Sequence, residues 1–151
     1  MQKEMLNIRK CTEYDIDAIV RLEKDTFSDA WTKKGIFETY SQAQAFIVVA
    51  EQENIVVGYC ILYYVLDEGE IARIAVDGKC RRQGAGRAIL EEVQRICQEK
   101  NVSKLLLDVR ESNYTARSFY QNLGFQEDGI RKNFYEMPKE HAVLMSMKIG
   151  N

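Results

Sequence analysis

The chain has 151 residues, of which 46% are hydrophobic and 29% are charged, a composition typical of a folded globular protein and not of a disordered one. Lysine and arginine number 21 against 23 aspartates and glutamates, for a formal charge of -2. There is therefore no overall basic excess of the kind that indicates nucleic-acid binding. This length predicts a single domain over residues 1–151.

Neither targeting nor metal binding is indicated by the sequence. Residues 1–4 contain no apolar signal segment, and the longest apolar runs are too short to span a bilayer. The four cysteines form no C-x-x-C pair, a pattern that suggests neither a zinc site nor a disulfide framework. We therefore expect a cytoplasmic protein with reduced thiols, no metal, no direct contact with nucleic acid and no membrane partner.

The first half of the chain predicts one strand, two helices and then three antiparallel strands. Residues 6–10 alternate as a strand, and Thr12 is placed to cap a helix over about 13–25, whose apolar spacing includes Glu23. A second cap at Thr32 begins a shorter helix. Dense β-branched residues predict strands over 45–51, 55–66 and 70–76, with turns at 53–54 and 67–69.

The second half predicts an amphipathic helix, a buried strand, another helix and two final strands. One stripe of the first helix is apolar: Ala85, Ile89, Val93, Ile96 and Cys97. The strand over 104–110 has a continuous apolar run that predicts burial on both faces. A helix capped at Asn113 ends at Gly124. Strands over 125–130 and 142–149 follow, joined by a polar segment that holds Pro138 and His141, whose imidazole is expected to be solvent-exposed.

A basic loop with two glycines connects the strand over 70–76 to the amphipathic helix: Arg81, Arg82, Gln83, Gly84, Ala85, Gly86 and Arg87. The first N–H groups of a helix have no internal acceptor, and glycine lets a phosphate approach them, so this loop predicts a pyrophosphate site. A dinucleotide site would need a third glycine where Ile89 stands, and a P-loop would need Gly-Lys-Ser/Thr. From the glycines alone, a tight turn before a helix is an equal alternative.

The motif Arg81-x-x-Gly84-x-Gly86, preceded by Ile74-Ala75-Val76, resembles the acyl-CoA-binding motif of the GNAT superfamily of N-acetyltransferases. Asn113, Tyr120 and residues 122–125 resemble the next block of the same superfamily. The element order, β-α-α-β-β-β-α-β-α-β-β, matches its fold over the whole chain. The expected architecture is therefore α/β (α+β), with a mixed, mostly antiparallel sheet of about seven strands flanked by about four helices.

Residues 108–113, 120–125 and 130–135 are similar to the ribosomal-protein-alanine N-acetyltransferase (RimI) family. The resemblance implies transfer of an acetyl group from acetyl-CoA to the N-terminal amine of a ribosomal protein that begins with alanine. Trp31 falls where the family has a tryptophan, but the proline that usually precedes it is Ala30 here. The segment 131–136 is a candidate wall of the acceptor groove.

The same resemblance implies roles for individual residues. The backbone of Ile74, Ala75 and Val76 would pair with the pantetheine arm of coenzyme A, and the loop from Arg81 to Arg87 would hold the pyrophosphate. Asn113 would contact the cofactor, act as a plain helix cap, or do both.

Two residues are candidates for acid and base catalysis by this resemblance. Asp108 stands where the family has a glutamate base, and Tyr120 matches its proton donor to the departing thiolate. Asp108 is one methylene shorter than glutamate, so we expect it to act through a water. An ion pair between Asp108 and Arg110 is the structural alternative, as core packing is for Tyr120.

Two other functions stay open from the sequence. The first is a GNAT-fold acetyltransferase that acts on a small-molecule amine or on lysine. The second is a catalytically silent module that binds acyl-CoA, which the aspartate at position 108 keeps in consideration.

Overall fold

The computed structural model describes residues 6–80 and 84–150. Its strands and helices are, in chain order, β1 (Asn7–Lys10), α1 (Ile16–Thr26), α2 (Lys33–Tyr40), β2 (Ala45–Gln52), β3 (Ile55–Val65), β4 (Glu68–Val76), α3 (Ala85–Glu99), β5 (Lys104–Arg110), α4 (Tyr114–Asn122), β6 (Gln126–Glu136) and β7 (Lys139–Lys148). These form the element order that the sequence predicted. In the sheet the strands lie in the order β1-β2-β3-β4-β5-β7-β6. Among the strands of the described residues, only β4 and β5 are parallel neighbours.

Helices cover both faces of the sheet because its central strands are apolar on both sides. In β2, for example, Val48 packs on the face that also buries Ile89 and Val93 of α3. Its neighbour Val49 packs on the opposite face, with residues of α1 and α2. Side chains alternate between the two faces of a strand, so one β-branched strand serves two cores. The central strands are thereby buried between two helical layers.

Two of the three predicted helix caps, Thr32 and Asn113, accept a side-chain capping hydrogen bond, whereas Thr12 precedes a 3-10 turn without one. The Thr32 hydroxyl accepts a hydrogen bond from the Gly35 N–H at 3.0 Å at the start of α2. The Asn113 side-chain oxygen accepts one from the Ala116 N–H at 3.1 Å at the start of α4. Each bond satisfies an N–H group that the helix itself leaves without an acceptor. No helix in the described residues is long and apolar enough to cross a membrane.

Two local predictions differ from the structure. The first predicted helix begins as a single 3-10 turn, Glu13–Asp15, before α1. In β5 only one face is fully buried, and the other, which carries Asp108, is half-buried. Asp108 lies beyond Leu106, where β5 is no longer paired with β4. A run of apolar residues cannot reveal that separation.

The last two strands are longer than predicted. β6 continues to Glu136 and β7 starts at Lys139, so the polar segment between the apolar runs belongs to one long hairpin. His141 is consequently part of β7 and half-buried, not solvent-exposed as predicted. Its Nδ1 accepts a hydrogen bond from the Asn133 backbone N–H at 2.9 Å. Cross-strand pairing sustains this polar hairpin where the local sequence suggests a loop.

Candidate active site

A cleft opens in the middle of the sheet between β4 and β5. These parallel strands pair over Glu68–Glu70 and Lys104–Leu106. Beyond that point β4 keeps its pairing with β3 and β5 keeps its pairing with β7. β4 also contains a bulge at Ala72, where the register with β3 shifts. A bulge bends and twists its strand, and here it lies where β4 leaves β5.

The segment Ile74, Ala75 and Val76 forms the β4 wall of this cleft. It pairs with Gly58–Cys60 of β3 along one edge. Ile74 and Val76 pack toward α3 and α4, whereas Ala75 packs toward α1 and α2. The other edge of the strand is directed toward the cleft. That arrangement is compatible with the predicted pairing to an extended ligand, as in the addition of a strand to a sheet edge.

The two glycines at the start of α3 serve different geometric purposes. Gly84 is exposed and has a φ of 85°, a left-handed conformation that favours glycine. Gly86 lies against α4, and a Cβ placed there would be 3.0 Å from Cζ of Phe119. Ala85 is buried, whereas Arg87 is exposed. Arg81, Arg82 and Gln83, which were also predicted to bind the cofactor, lie outside the described residues.

Tyr120 reaches the cleft from the α4 side of the sheet. Its ring packs edge-on against Phe119 and Phe125, with centroid distances of 5.3 and 5.5 Å. Burial is the main factor that raises the pKa of Tyr120, and Cys60 and Tyr135 contribute in the same direction. Cys60 pairs with Ile74 of β4 and belongs to the same core cluster as Tyr120, so Tyr120 lies near the β4 wall. Core packing and a location at the cleft are both present.

The Tyr120 phenol is buried, with the residue only 7% exposed. Its raised pKa keeps the phenol protonated around neutral pH. The group is therefore chemically suited to donate a proton.

Asp108 lies on the opposite face of the sheet, away from the core that contains Leu107 and Val109. Burial raises the pKa of its carboxyl group, and the positive charge of Arg131 opposes that rise. A raised pKa makes a carboxylate a better proton acceptor than an exposed aspartate. Asp108 and Tyr120 thus approach the cleft from its two faces.

The alternative interpretation of Asp108, an ion pair with Arg110, is wrong. Arg110 instead lies 3.3 Å from Glu140 and donates a hydrogen bond to the Pro138 carbonyl at 2.9 Å. Its guanidinium also stacks 4.3 Å from the centre of the Tyr135 ring. The long hairpin therefore takes Arg110 away from Asp108.

Tyr135 of the hairpin links the surroundings of Asp108 to the loop between α1 and α2. Register places Asp108, Arg131 and Tyr135 on one face of the sheet. Burial, followed by the nearby negative charge of Asp108, raises the pKa of Tyr135 to about 12, and the negative charge of Asp29 adds to that effect. Asp29 belongs to the α1–α2 loop, so the charge of that loop acts on Tyr135 of the hairpin.

The sequence did not predict a second group of polar residues near this side of the cleft. Glu23 of α1, Tyr59 of β3 and Arg73 of β4 meet beneath the α1–α2 loop. The available signals were Glu23 on the apolar stripe of a helix and an arginine within a β-branched strand. Separately, no three His, Cys, Asp or Glu side chains in residues 6–80 and 84–150 are grouped to hold a metal ion.

Comparison with known proteins agrees with this fold and cleft. A model of the Acetyltransferase (GNAT) family matches residues 16–125. The Escherichia coli K12 [ribosomal protein bS18]-alanine N-acetyltransferase is 33% identical over 138 residues, which cover 90% of this chain and 93% of that protein.

Two solved structures have nearly the same backbone. The crystal structure of the ribosomal-protein-S18-alanine N-acetyltransferase from Escherichia coli has a TM-score of 0.88 and 32% identity, and the match covers 97% of this chain and 96% of that one. The structure of Ard1 from Thermoplasma volcanium has a TM-score of 0.89 and 26% identity, with 97% and 99% covered.

The chain belongs to the GNAT family and is an acetyl-CoA-dependent N-acetyltransferase. Within that family it belongs with the ribosomal-protein-alanine N-acetyltransferases, RimI.

Proposed function

We propose that this enzyme acetylates the N-terminal α-amine of a ribosomal protein that begins with alanine. The observation that carries the proposal is the cleft between β4 and β5, which Tyr120 and Asp108 approach from opposite faces. The similarity to the Escherichia coli [ribosomal protein bS18]-alanine N-acetyltransferase supports the identity of the acceptor. A ribosomal acceptor implies action in the cytoplasm, by a chain that folds as one domain.

The residues around the cleft fit acetyl-CoA. The edge of Ile74, Ala75 and Val76 supplies backbone groups to an extended pantetheine arm. The first turn of α3, entered through the left-handed Gly84, offers N–H groups to a pyrophosphate. Five further residues belong to this proposed site: Arg81, Arg82, Gln83, Ala85 and Arg87.

Gly86 of α3 and Asn113, which caps α4, support the same site indirectly. Gly86 allows the close contact with Phe119 that sets the position of the α3 N-terminus. Asn113 is a helix cap in the structure, and its contact with the cofactor remains part of this proposal. The bound cosubstrate supplies the reactive acetyl thioester.

Tyr120 donates the proton that the departing sulfur needs. Its phenol is buried, and that burial raises its pKa, so the group is protonated around neutral pH. A positioned O–H group that meets a developing negative charge stabilises the transition state. No covalent intermediate on the enzyme is required.

Asp108 accepts the proton from the amine through a water. Its raised pKa and its position on the acceptor face support this role. Only modest help is needed, because an α-amine with a pKa near ~8 is roughly a tenth neutral at pH 7, whereas a lysine near ~10.4 is below ~0.1% neutral. A terminal amine therefore needs less help from a base than a lysine does.

Mass spectrometry of peptides incubated with the enzyme and acetyl-CoA tests the proposal. The set contains an alanine-starting peptide with its internal lysines acetylated, the same peptide with a blocked N-terminus and a free lysine, and polyamines. Acetylation of the first peptide alone is expected. Preference for lysine or polyamines would refute the proposed acceptor, and binding of acetyl-CoA without turnover would indicate a silent binding module.

A further inference from the structure

A buried ion pair connects β4 to the loop that faces the acceptor side of the cleft. The Glu23 carboxylate is 0% exposed. It accepts hydrogen bonds from the Tyr59 hydroxyl and, at 2.8 Å, from the Trp31 backbone N–H. Nε of Arg73 lies 3.3 Å from the same carboxylate. α1, β3, β4 and the loop thus meet at one acidic side chain.

Arg73 holds the loop at three alternate residues. Its Nη2 donates hydrogen bonds to the Asp29 carbonyl at 2.7 Å and to the Asp29 carboxylate at 3.0 Å. Its guanidinium lies 4.1 Å from the centre of the Phe27 ring and 5.6 Å from the Trp31 ring. A planar guanidinium can stack and form hydrogen bonds at the same time, which an ammonium cannot. The side chain of Arg73 is 13% exposed.

The position of Arg73 gives this contact a consequence for the reaction. Arg73 follows the bulge at Ala72, on the strand that forms one wall of the cleft. Phe27 and Trp31 of the loop that it holds pack on one face of the sheet, and Asp108 lies on that same face, opposite the core that contains Leu107 and Val109. The loop therefore borders the space through which an amine approaches Asp108.

Stability alone is a poor explanation for such an arrangement. The desolvation of two buried charges largely offsets their attraction, so apolar residues of similar size often stabilise a fold as well. In addition, Nε of Arg73 is buried and makes no hydrogen bond within the described residues. What the arginine achieves, and an apolar side chain would not, is the fixed conformation of the loop.

We propose that Arg73 is a positioning residue that holds the 27–31 loop in the conformation that binds the acceptor. The loop is thereby fixed relative to β4, so that the acceptor amine and the cosubstrate share one rigid reference. This inference rests on the proposed function only for the identity of the acceptor. It predicts that loosening the loop weakens acceptor binding and leaves binding of acetyl-CoA unchanged.

The test uses Arg73→Lys, which keeps a positive charge near Glu23 but loses the stacking and the paired bonds to Asp29. Trp31 is the chain's single tryptophan, so its fluorescence reports on this loop without any assay of activity. We expect stronger acrylamide quenching in the variant. The KM for an alanine-starting peptide should rise about tenfold, with kcat within about twofold and an unchanged Kd for acetyl-CoA.

Arg9→Lys is the matched control. Arg9 also binds two carboxylates, Asp15 at 2.7 Å and Glu51 at 3.1 Å, but it does so on β1 at the edge of the sheet. Neither quenching nor the acceptor KM should change in this variant. If Arg73→Lys fails to fold, the double variant Arg73→Met with Glu23→Gln removes both charges together and should show the same two effects.

Each outcome decides the proposal. Unchanged Trp31 quenching, or increased quenching with an unchanged acceptor KM, would overturn it, as would a loss confined to kcat or to acetyl-CoA affinity. If the wild-type enzyme acetylates no peptide N-terminus, the proposed function fails instead. The quenching and the KM for the amine that is acetylated then decide the role of Arg73.

Discussion

Replacing Tyr120 by phenylalanine removes the proposed proton donor and very little else. The ring contacts with Phe119 and Phe125 are unchanged, because they involve only carbon atoms. Removal of a single hydroxyl group forfeits at most about 1 kcal/mol of folding free energy. For a chain of this size that shifts Tm by less than about 4 °C.

The effect on turnover should be much larger. Loss of a positioned acid costs at least about 100-fold in rate, which corresponds to about 2.7 kcal/mol of transition-state stabilisation. The assay is steady-state release of coenzyme A with an alanine-starting peptide, together with calorimetric titration of acetyl-CoA. We expect kcat to fall by that factor and the Kd for acetyl-CoA to remain the same.

Tyr64→Phe provides the control for the loss of a tyrosine hydroxyl. Tyr64 packs against the same core, but at the end of the sheet where β4 and β5 are still paired, and its hydroxyl donates a hydrogen bond to the Ala43 carbonyl at 3.2 Å. Its removal should leave kcat unchanged. An unchanged kcat in Tyr120→Phe, or an equal fall in both variants, would refute the reasoning.

Three further predictions concern the neighbouring residues. Burial raises the pKa of Asp108, so the ionised carboxylate destabilises the fold at any pH above the usual pKa of an aspartate. Asp108→Asn should therefore raise Tm at pH 7, and this gain should disappear below about pH 4, where the carboxyl group is protonated in both states. The same variant should impair turnover. Arg131→Gln removes the charge that lowers this pKa, so the acid limb of the kcat/KM profile should move to higher pH; a shift to lower pH would contradict the assignment. Gly86→Ala places a Cβ 3.0 Å from Phe119 and should weaken acetyl-CoA binding, with recovery in the double variant that adds Phe119→Leu; no recovery would exclude this steric cause.

The α3 N-terminus contains two glycines, and the sequence predicted the role of only one of them. The glycines at 84 and 86 indicated a single purpose, the approach of an anion. In the structure Gly84 provides a left-handed turn, whereas Gly86 makes room for a ring of α4. The first property is local and readable from the chain, because it depends on the conformation of one residue. The second depends on a residue more than thirty positions away.

The ion pairs of Arg110 and Arg73 also depend on residues that are distant in the sequence. The spacing of Asp108 and Arg110 favoured an ion pair between them, and both do lie on one face of β5. Glu140 takes Arg110 instead, because the long hairpin brings a carboxylate from β7 beside it. The contacts among Glu23, Arg73 and Asp29 likewise join three separate segments, and no local pattern could have paired them.

The sequence by itself determined the order of the elements, the caps at Thr32 and Asn113 and the buried stripe of α3. These features depend on hydrogen bonds and periodicity within a few turns of chain. Tertiary structure alone decided where β4 leaves β5, that Arg110 pairs with Glu140 and not with Asp108, and that Arg73 holds the 27–31 loop. Those features arise from pairings between distant segments, whose partners are chosen by packing and desolvation across the whole sheet.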